Sequence, residues 1–498
     1  MTVTAGAMSV RQRQLAALKA RFLTVSLDPL RIALFMLMVM TVSRIHQHFR
    51  LIAKLRPGML LVFAVGAYAL MNPKFIRTET LVKSWLPKVI FALAIQACLS
   101  VPFGVSIGNS GLFIITDYSK TIIFAVLLMV AVRNTRDLFT VVWAYVVASG
   151  FLVWQSWFVF KVSKSHGSAE ERLGHMYGFD ANDVGLVLLV GLALTLLTLQ
   201  TSSKRGKIAS AVILGGIGAT IARTGSRGAF LGLVVVGLVV LFTLKGVDVT
   251  KRIGFLVVTV VALILGAPKG YWDQMRTLLE PTSDYNWQTR EGRKQVAKRG
   301  MGYMMDYPFF GVGIDNFRKM ECILGDKALN NAPGTGLRCT PPHNSYVEAG
   351  AELGIPGLFL FCGLVFGGIV SMYRLRRRLP PQWARGDPEE RFLYLSTLYF
   401  GLAMVAFAIT CTFLTFAWLE MLYIIAAYMA GLYVCVEDKL RRSGGLPATR
   451  PRRGQRPVRG GPPRPGPGFI AAPQYRQRCI RPSSGASRTC LPRSPASG

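Results

Sequence analysis

Between residues 30 and 435 the chain returns repeatedly to apolar runs of transmembrane length, and a water-soluble fold has no way to bury so many of them. Hydrophobic residues make up 51% of the chain, which fits the same class. Twelve helices are expected, at 30–45, 58–72, 88–106, 116–132, 138–160, 183–200, 207–222, 228–245, 253–267, 354–373, 392–410 and 413–435. The first two are short. The chain thus reads as an all-α polytopic membrane protein. A basic segment (1–29) precedes helices one to nine (30–267), a large polar loop (268–353), helices ten to twelve (354–435) and a tail (436–498).

Lys and Arg mark the cytoplasmic side of short loops. "SSKRGK" at 202–207, Arg133 with Arg136, Lys251 with Arg252, and "RLRRRLPPQWAR" at 374–385 fall on one side by parity, with both termini. Arg44, Arg50, Lys54 and Arg56 fall on the other. That exception fits a re-entrant first pair, or a count that is off by one there. The net charge of +33 is concentrated at the end: 14 Lys and Arg, and no Asp or Glu, lie in 439–498. This Pro-, Gly- and Arg-rich stretch is expected to be disordered and drawn to anionic membrane lipids rather than to nucleic acid. Residues 10–27 fit a basic amphipathic helix on the membrane surface, and no cleavable signal peptide is evident.

The polar chemistry gathers in three segments that parity places outside the cytoplasm: 161–182, 222–228 and 268–353. The first carries Arg172, His175, Asp180 and Asn182, with Asp183 at the start of the helix that follows. The second, "ARTGSRGAF", sets Arg223 and Arg227 around a tight turn. A helix-end arginine can simply snorkel. Two that break the charge rule on so short a loop are equally candidates for anion ligands. In the third, Arg290 to Met305 has the spacing of an amphipathic helix, and "GVGIDNF" with Gly311 and Gly313 is a turn without the lysine of a nucleotide-binding loop. Cys322 and Cys339 are either a disulfide pair or two thiols.

"PPHNSYVEAGAELGIPG" at 341–357 closes that loop. Pro341 and Pro342 keep the backbone extended, and Ser345 with Glu348 has capping-box spacing, so a helix is expected to start at Ser345. Gly354, Pro356 and Gly357 interrupt it at once. His343 is thereby placed beside a helix N-terminus, a setting that suits phosphate and keeps an imidazole neutral, as a general base requires. No second histidine stands at zinc-site spacing.

"HNSYVEAGAELGIPG" resembles the O-antigen ligase and O-antigen polymerase superfamily, whose pattern is His, an amide, nine residues, Gly, two residues, Gly; here these are His343, Asn344, Gly354 and Gly357. "DYPFFGVGIDNF", "TGSRGAF" and the "RLG…AND" region are similar to its other segments, over roughly residues 115–435. The resemblance implies a GT-C-like glycosyltransferase of the bacterial cytoplasmic membrane, acting on its outer face without cofactor, nucleotide sugar or metal. It implies an undecaprenyl-diphosphate-linked glycan as donor and a lipid or glycan hydroxyl as acceptor. By position, His343 would be the base, and Arg227, Arg172 and Arg290 would hold the diphosphate. Ligase and polymerase share this chemistry. A flippase for lipid-linked sugar is the reading from another class, and would want polar groups at the bilayer midplane.

Overall fold

The structure, a computed structural model, describes residues 22–55, 57–164, 171–243, 249–280, 292–323 and 339–443. Most of the surface helix expected at 10–27, and the tail from 444 onward, lie outside these residues, as does Arg290. The main helices are α1 (Pro29–Ser43), α2 (Pro57–Met71), α3 (Leu86–Ser100), α4 (Ile107–Ala131), α5 (Thr135–Phe158), α6 (Ala181–Thr201), α7 (Lys204–Thr224), α8 (Arg227–Thr243), α9 (Val249–Gly266), α10 (Arg293–Asp306), α11 (Ser345–Arg378), α12 (Pro388–Thr410) and α13 (Glu420–Arg442).

Each of the twelve expected segments coincides with an apolar helix, but among the described residues only seven are long and apolar enough to cross a membrane: α4, α5, α6, α7, α11, α12 and α13. The other five are shorter. A helix of 15 residues, such as α1, α2 or α3, rises about 22 Å, less than the roughly 30 Å of a hydrocarbon core. The chain is a multi-pass membrane protein with at least these seven candidate spans. The charged connection after α1 contains a 3-10 turn at Ile45–His48 and a short helix at Arg50–Lys54, and α1 and α2 pack against each other.

α6 and α13 are the most enclosed helices. α6 is apolar on every side, "VGLVLLVGLALTLL", and is surrounded by α5, α7, α8 and α12. α13 brings tyrosines into the interior, and each hydroxyl finds a partner: Tyr428 donates to the Val141 carbonyl (2.7 Å), and Tyr423 pairs with Tyr118 (3.1 Å). At the Asp137 end of α5, fully buried Arg31 bridges Asp28 (3.2 Å) and Asp137 (3.0 Å), tying α1 to α5.

Three local expectations are corrected. α4 begins at Ile107, nine residues before the expected 116, because a π-turn at Ile114–Tyr118 carries "GNSGLFIITDY" into the helix. The last helix starts at Glu420, not 413, because residues 411–419 form an irregular segment recruited by the polar loop. Residues 162–164 and 171–173 form an antiparallel pair of short strands, β1 and β2, where no strand is expected from the sequence.

Candidate active site

α11 is broken ten residues into its course, and the break organises everything around it. Gly354 has φ 72° and ψ −171°, a conformation open to glycine and almost closed to other residues. Two residues on, Pro356 has no amide hydrogen to continue the helical ladder. The break frees the carbonyls of Ala351, Glu352 and Leu353 and the amide of Ile355, and each is satisfied from outside. Val312 N donates to Ala351 O (2.8 Å), Gly313 N to Glu352 O (3.0 Å), and the Gln96 amide to Leu353 O (2.9 Å). Ile355 N donates to Pro308 O (2.7 Å), and Gln96 also reaches Phe309 O (2.7 Å).

The glycine-rich turn at 311–313 is therefore no nucleotide loop: it lays its backbone along the carbonyls of the broken helix. Gly311, at φ 64°, approaches so closely that a Cβ there would lie 2.3 Å from the Glu352 carbonyl carbon. The Glu352 carboxylate completes the clasp, accepting from Asp315 N (2.7 Å), Phe317 N (3.0 Å) and Trp418 Nε1 (2.7 Å). Gly357 lies just past the break, within the continuing helix.

The same segment fixes His343. α11 begins at Ser345, as expected, but its cap is Asn344, whose side chain accepts from Tyr346 N (3.0 Å) and Val347 N (3.1 Å). The expected Ser345–Glu348 capping box does not form. The Ser345 hydroxyl donates to Leu414 O (2.8 Å) and accepts from Phe416 N (2.9 Å), while Glu348 accepts from Ala417 N (3.0 Å). With two of its first amides taken by Asn344, the helix start is a filled terminus rather than an open phosphate cradle, and the case for an anion rests on nearby guanidinium groups instead.

His343 sits at φ 46°, in the left-handed region, its amide donating to the Thr415 hydroxyl (3.1 Å). Its imidazole takes no hydrogen bond from the described residues. Burial pushes the imidazole pKa down to about 4; the Arg293 guanidinium adds to that, Asp180 opposes it, and Arg318 lowers it further. At ordinary pH the ring is neutral and can accept a proton.

Arg172, on β2, lies against the turn that joins α7 to α8: a Cβ on Gly225 would be 3.2 Å from the Arg172 Cβ. Arg227 opens α8, two residues past Gly225, and donates to the Thr277 hydroxyl (2.9 Å). Beside it, Gly228 packs on Phe413, one residue before the Leu414 carbonyl that Ser345 holds. The structure thus brings Arg172, Arg227 and His343 to loops at one end of the bundle. Arg223 is directed elsewhere, its guanidinium over the Trp157 ring at 4.7 Å. Asp180 caps α6, accepting from Asn182 N (2.7 Å) and Asp183 N (2.9 Å), with Asp183 closing the capping box.

Cys322 and Cys339 form a disulfide. Nearby, Arg299 bridges Glu321 (2.6 Å), which also accepts from the Tyr303 hydroxyl (2.8 Å), fastening α10 to the short helix Phe317–Ile323. Sequence reasoning does not single out Glu352, Gln96, Thr415 or Trp418. Their partners lie 35 to 257 residues away, so no local spacing reveals them. Glu348 carries a signal, its capping-box spacing, that points to the wrong partner.

No curated protein matches the chain. The family model described as O-Antigen ligase matches residues 209–362, a span holding Arg223, Arg227, Arg290, both halves of the clasp, and His343, with Arg172 outside it. The match supports the resemblance to the O-antigen ligase and polymerase superfamily over that part of the chain.

Proposed function

We infer that the protein transfers a glycan from undecaprenyl diphosphate to an acceptor hydroxyl, as an O-antigen ligase does. The acceptor oxygen attacks the anomeric carbon, the bond to the diphosphate breaks, and the hydroxyl proton passes to His343. Negative charge grows on the leaving diphosphate, where Arg227 and Arg172, with Arg290, supply guanidinium groups whose planar forks match phosphate oxygens. The observation that carries this reading is the setting of His343: neutral, half-buried, and pinned through Thr415 and the helix break beside Arg293 and Arg318. The disulfide supports an oxidising, extracytoplasmic location for this end of the bundle. On this reading, a single base with no covalent nucleophile gives inversion at the anomeric carbon.

The test is a deletion strain complemented by wild type or by His343→Ala, with its glycans analysed. Long undecaprenyl-linked chains accumulating in the His343→Ala strain are the expected result. Single repeat units accumulating instead would assign the polymerase step of the same superfamily. Wild-type product from a normally expressed His343→Ala variant would remove His343 from the reaction.

A further inference from the structure

The far end of α11, roughly 30 Å beyond the break at Gly354 at 1.5 Å per residue, holds a second cavity with a different chemistry. It has a volume of about 520 Å³ and lies between α11 and the start of α3. On α11 it is lined by Gly367, Ser371, Arg374 and Arg378, spaced by three or four residues and so forming a single stripe. Lys88 of α3 faces the same space, with Trp85 and Tyr433 at its sides. No Asp or Glu lines it. Lys83, at its edge, is already paired with Glu79 (2.5 Å). Lys88, Arg374 and Arg378 form no ion pair among the described residues.

Three exposed cations line one space, Glu437 reaches it only through the Tyr433 hydroxyl at its side, and an anion held between the cations relieves their mutual repulsion. The other wall says what kind of anion. Toward the middle of α11 the stripe becomes apolar, and Trp85 lies so close over Gly367 that a Cβ there would be 2.6 Å from the indole. Beside it Phe366 and Val370 are 50% and 43% exposed, so the apolar side continues onto the lipid-facing surface of the helix. Tryptophan at the edge, cations at the helix end and hydrocarbon below are the three layers of a lipid headgroup region.

We propose that this cavity is a binding site for an anionic phospholipid. The phosphate is held by Lys88, Arg374 and Arg378, and an acyl chain runs along the apolar stripe below Trp85. Cationic pockets between membrane helices hold acidic headgroups in this manner. The site is independent of the assignment of His343, and its test reads binding directly.

The full chain is reconstituted in nanodiscs of phosphatidylcholine with a minor fraction of cardiolipin or phosphatidylglycerol, then released for native mass spectrometry. Wild type is expected to retain an anionic lipid in preference to phosphatidylcholine. The K88Q/R374Q/R378Q variant should bind it about 100-fold more weakly. A control with equal charge removed elsewhere, K204Q/R205Q/K207Q, should retain it like wild type. Single K88Q and R378Q variants give the same ordering with smaller losses should the triple variant not fold. Equal retention by wild type and the cavity variants would overturn the proposal, and so would an equal loss in the control. Thermal stabilisation of the delipidated protein by inorganic phosphate, matching that by lipid, would overturn the lipid assignment in favour of a free-anion site.

Discussion

Replacing Gly354 by alanine tests the helix break directly. At φ 72° and ψ −171° a Cβ costs about 1–3 kcal/mol through the backbone alone. It would also lie 2.5 Å from Pro308 O and 2.7 Å from the Phe309 carbonyl carbon, main-chain atoms that no rotamer change can move aside. Relief requires α11 and the 308–313 turn to separate, at the expense of the Ile355 N–Pro308 O bond or the Gln96–Phe309 O bond. Each is worth roughly 1 kcal/mol net, and more where a buried group is left unpaired. The sum is about 3–5 kcal/mol, a large share of a typical margin of about 5–15 kcal/mol. In purified protein Gly354→Ala should lower the thermal midpoint by several degrees. It should also reduce glycan transfer, since the displaced segment sets the path of the chain at His343. Gly363→Ala is the internal control: it lies in the same helix, nothing would come within 4 Å of its Cβ, and it should gain about 0.5–1 kcal/mol. If Gly354→Ala matches Gly363→Ala in both midpoint and transfer, the clasp does not hold the site.

Other outcomes follow from the same geometry. Glu352→Gln puts an amide donor where only donors converge, so at least one of three bonds is lost; a destabilisation of about 1–3 kcal/mol is expected by thermal melt, and an unchanged melt would refute the clasp's third strut. Arg318→Gln removes a positive charge that disfavours the imidazolium, so the His343 pKa should rise from about 4 toward its ordinary value. The acid limb of kcat/KM, where the base is lost to protonation as pH falls, should then move to higher pH; a stationary limb would dissociate His343 from proton transfer. Arg227→Lys exchanges a planar fork for a point charge and should raise KM for the donor; full activity would mean simple charge anchoring. A membrane-impermeant thiol reagent applied outside intact cells should label Cys339 in Cys322→Ser and neither cysteine of wild type; no labelling in the variant would argue against an extracytoplasmic loop.

What the sequence discloses here is what is written locally. Apolar runs of 15 or more residues give the helices, since each needs only its own composition to read as membrane-compatible. Gly354 and Pro356 announce a break because backbone restrictions belong to single residues. The start of α11 at Ser345 is legible too, though through a capping box that does not form, and the sequence leaves the Cys322–Cys339 disulfide open beside two free thiols. Legibility fails where a side chain chooses between a near and a distant partner. Ser345 and Glu348 could have capped their own helix; they bond instead to Leu414, Phe416 and Ala417, because Asn344 caps the helix and the 411–419 segment brings its own unpaired amides. That recruitment is also why α13 starts later than hydropathy suggests.

The two glycine-bearing motifs, 308–313 and 354–357, have a common explanation in hydrogen-bond accounting. A helix broken in the interior exposes carbonyls that cannot stay bare, and only a backbone with free amides and almost no side chains can come close enough to take them. Gly311 and Gly313 supply that backbone; Gly354 and Pro356 create the need for it. Either motif alone would leave buried polar groups unpaired, so each makes physical sense only with the other. The histidine follows from the same construction. The break ties α11 to the 308–317 turn, Glu352 and Ser345 tie it to residues 414–418, and Thr415 in that segment holds the His343 amide in a left-handed turn. Three chain segments far apart in sequence therefore fix one imidazole. A mutation in any of them should reach the chemistry without touching the ring.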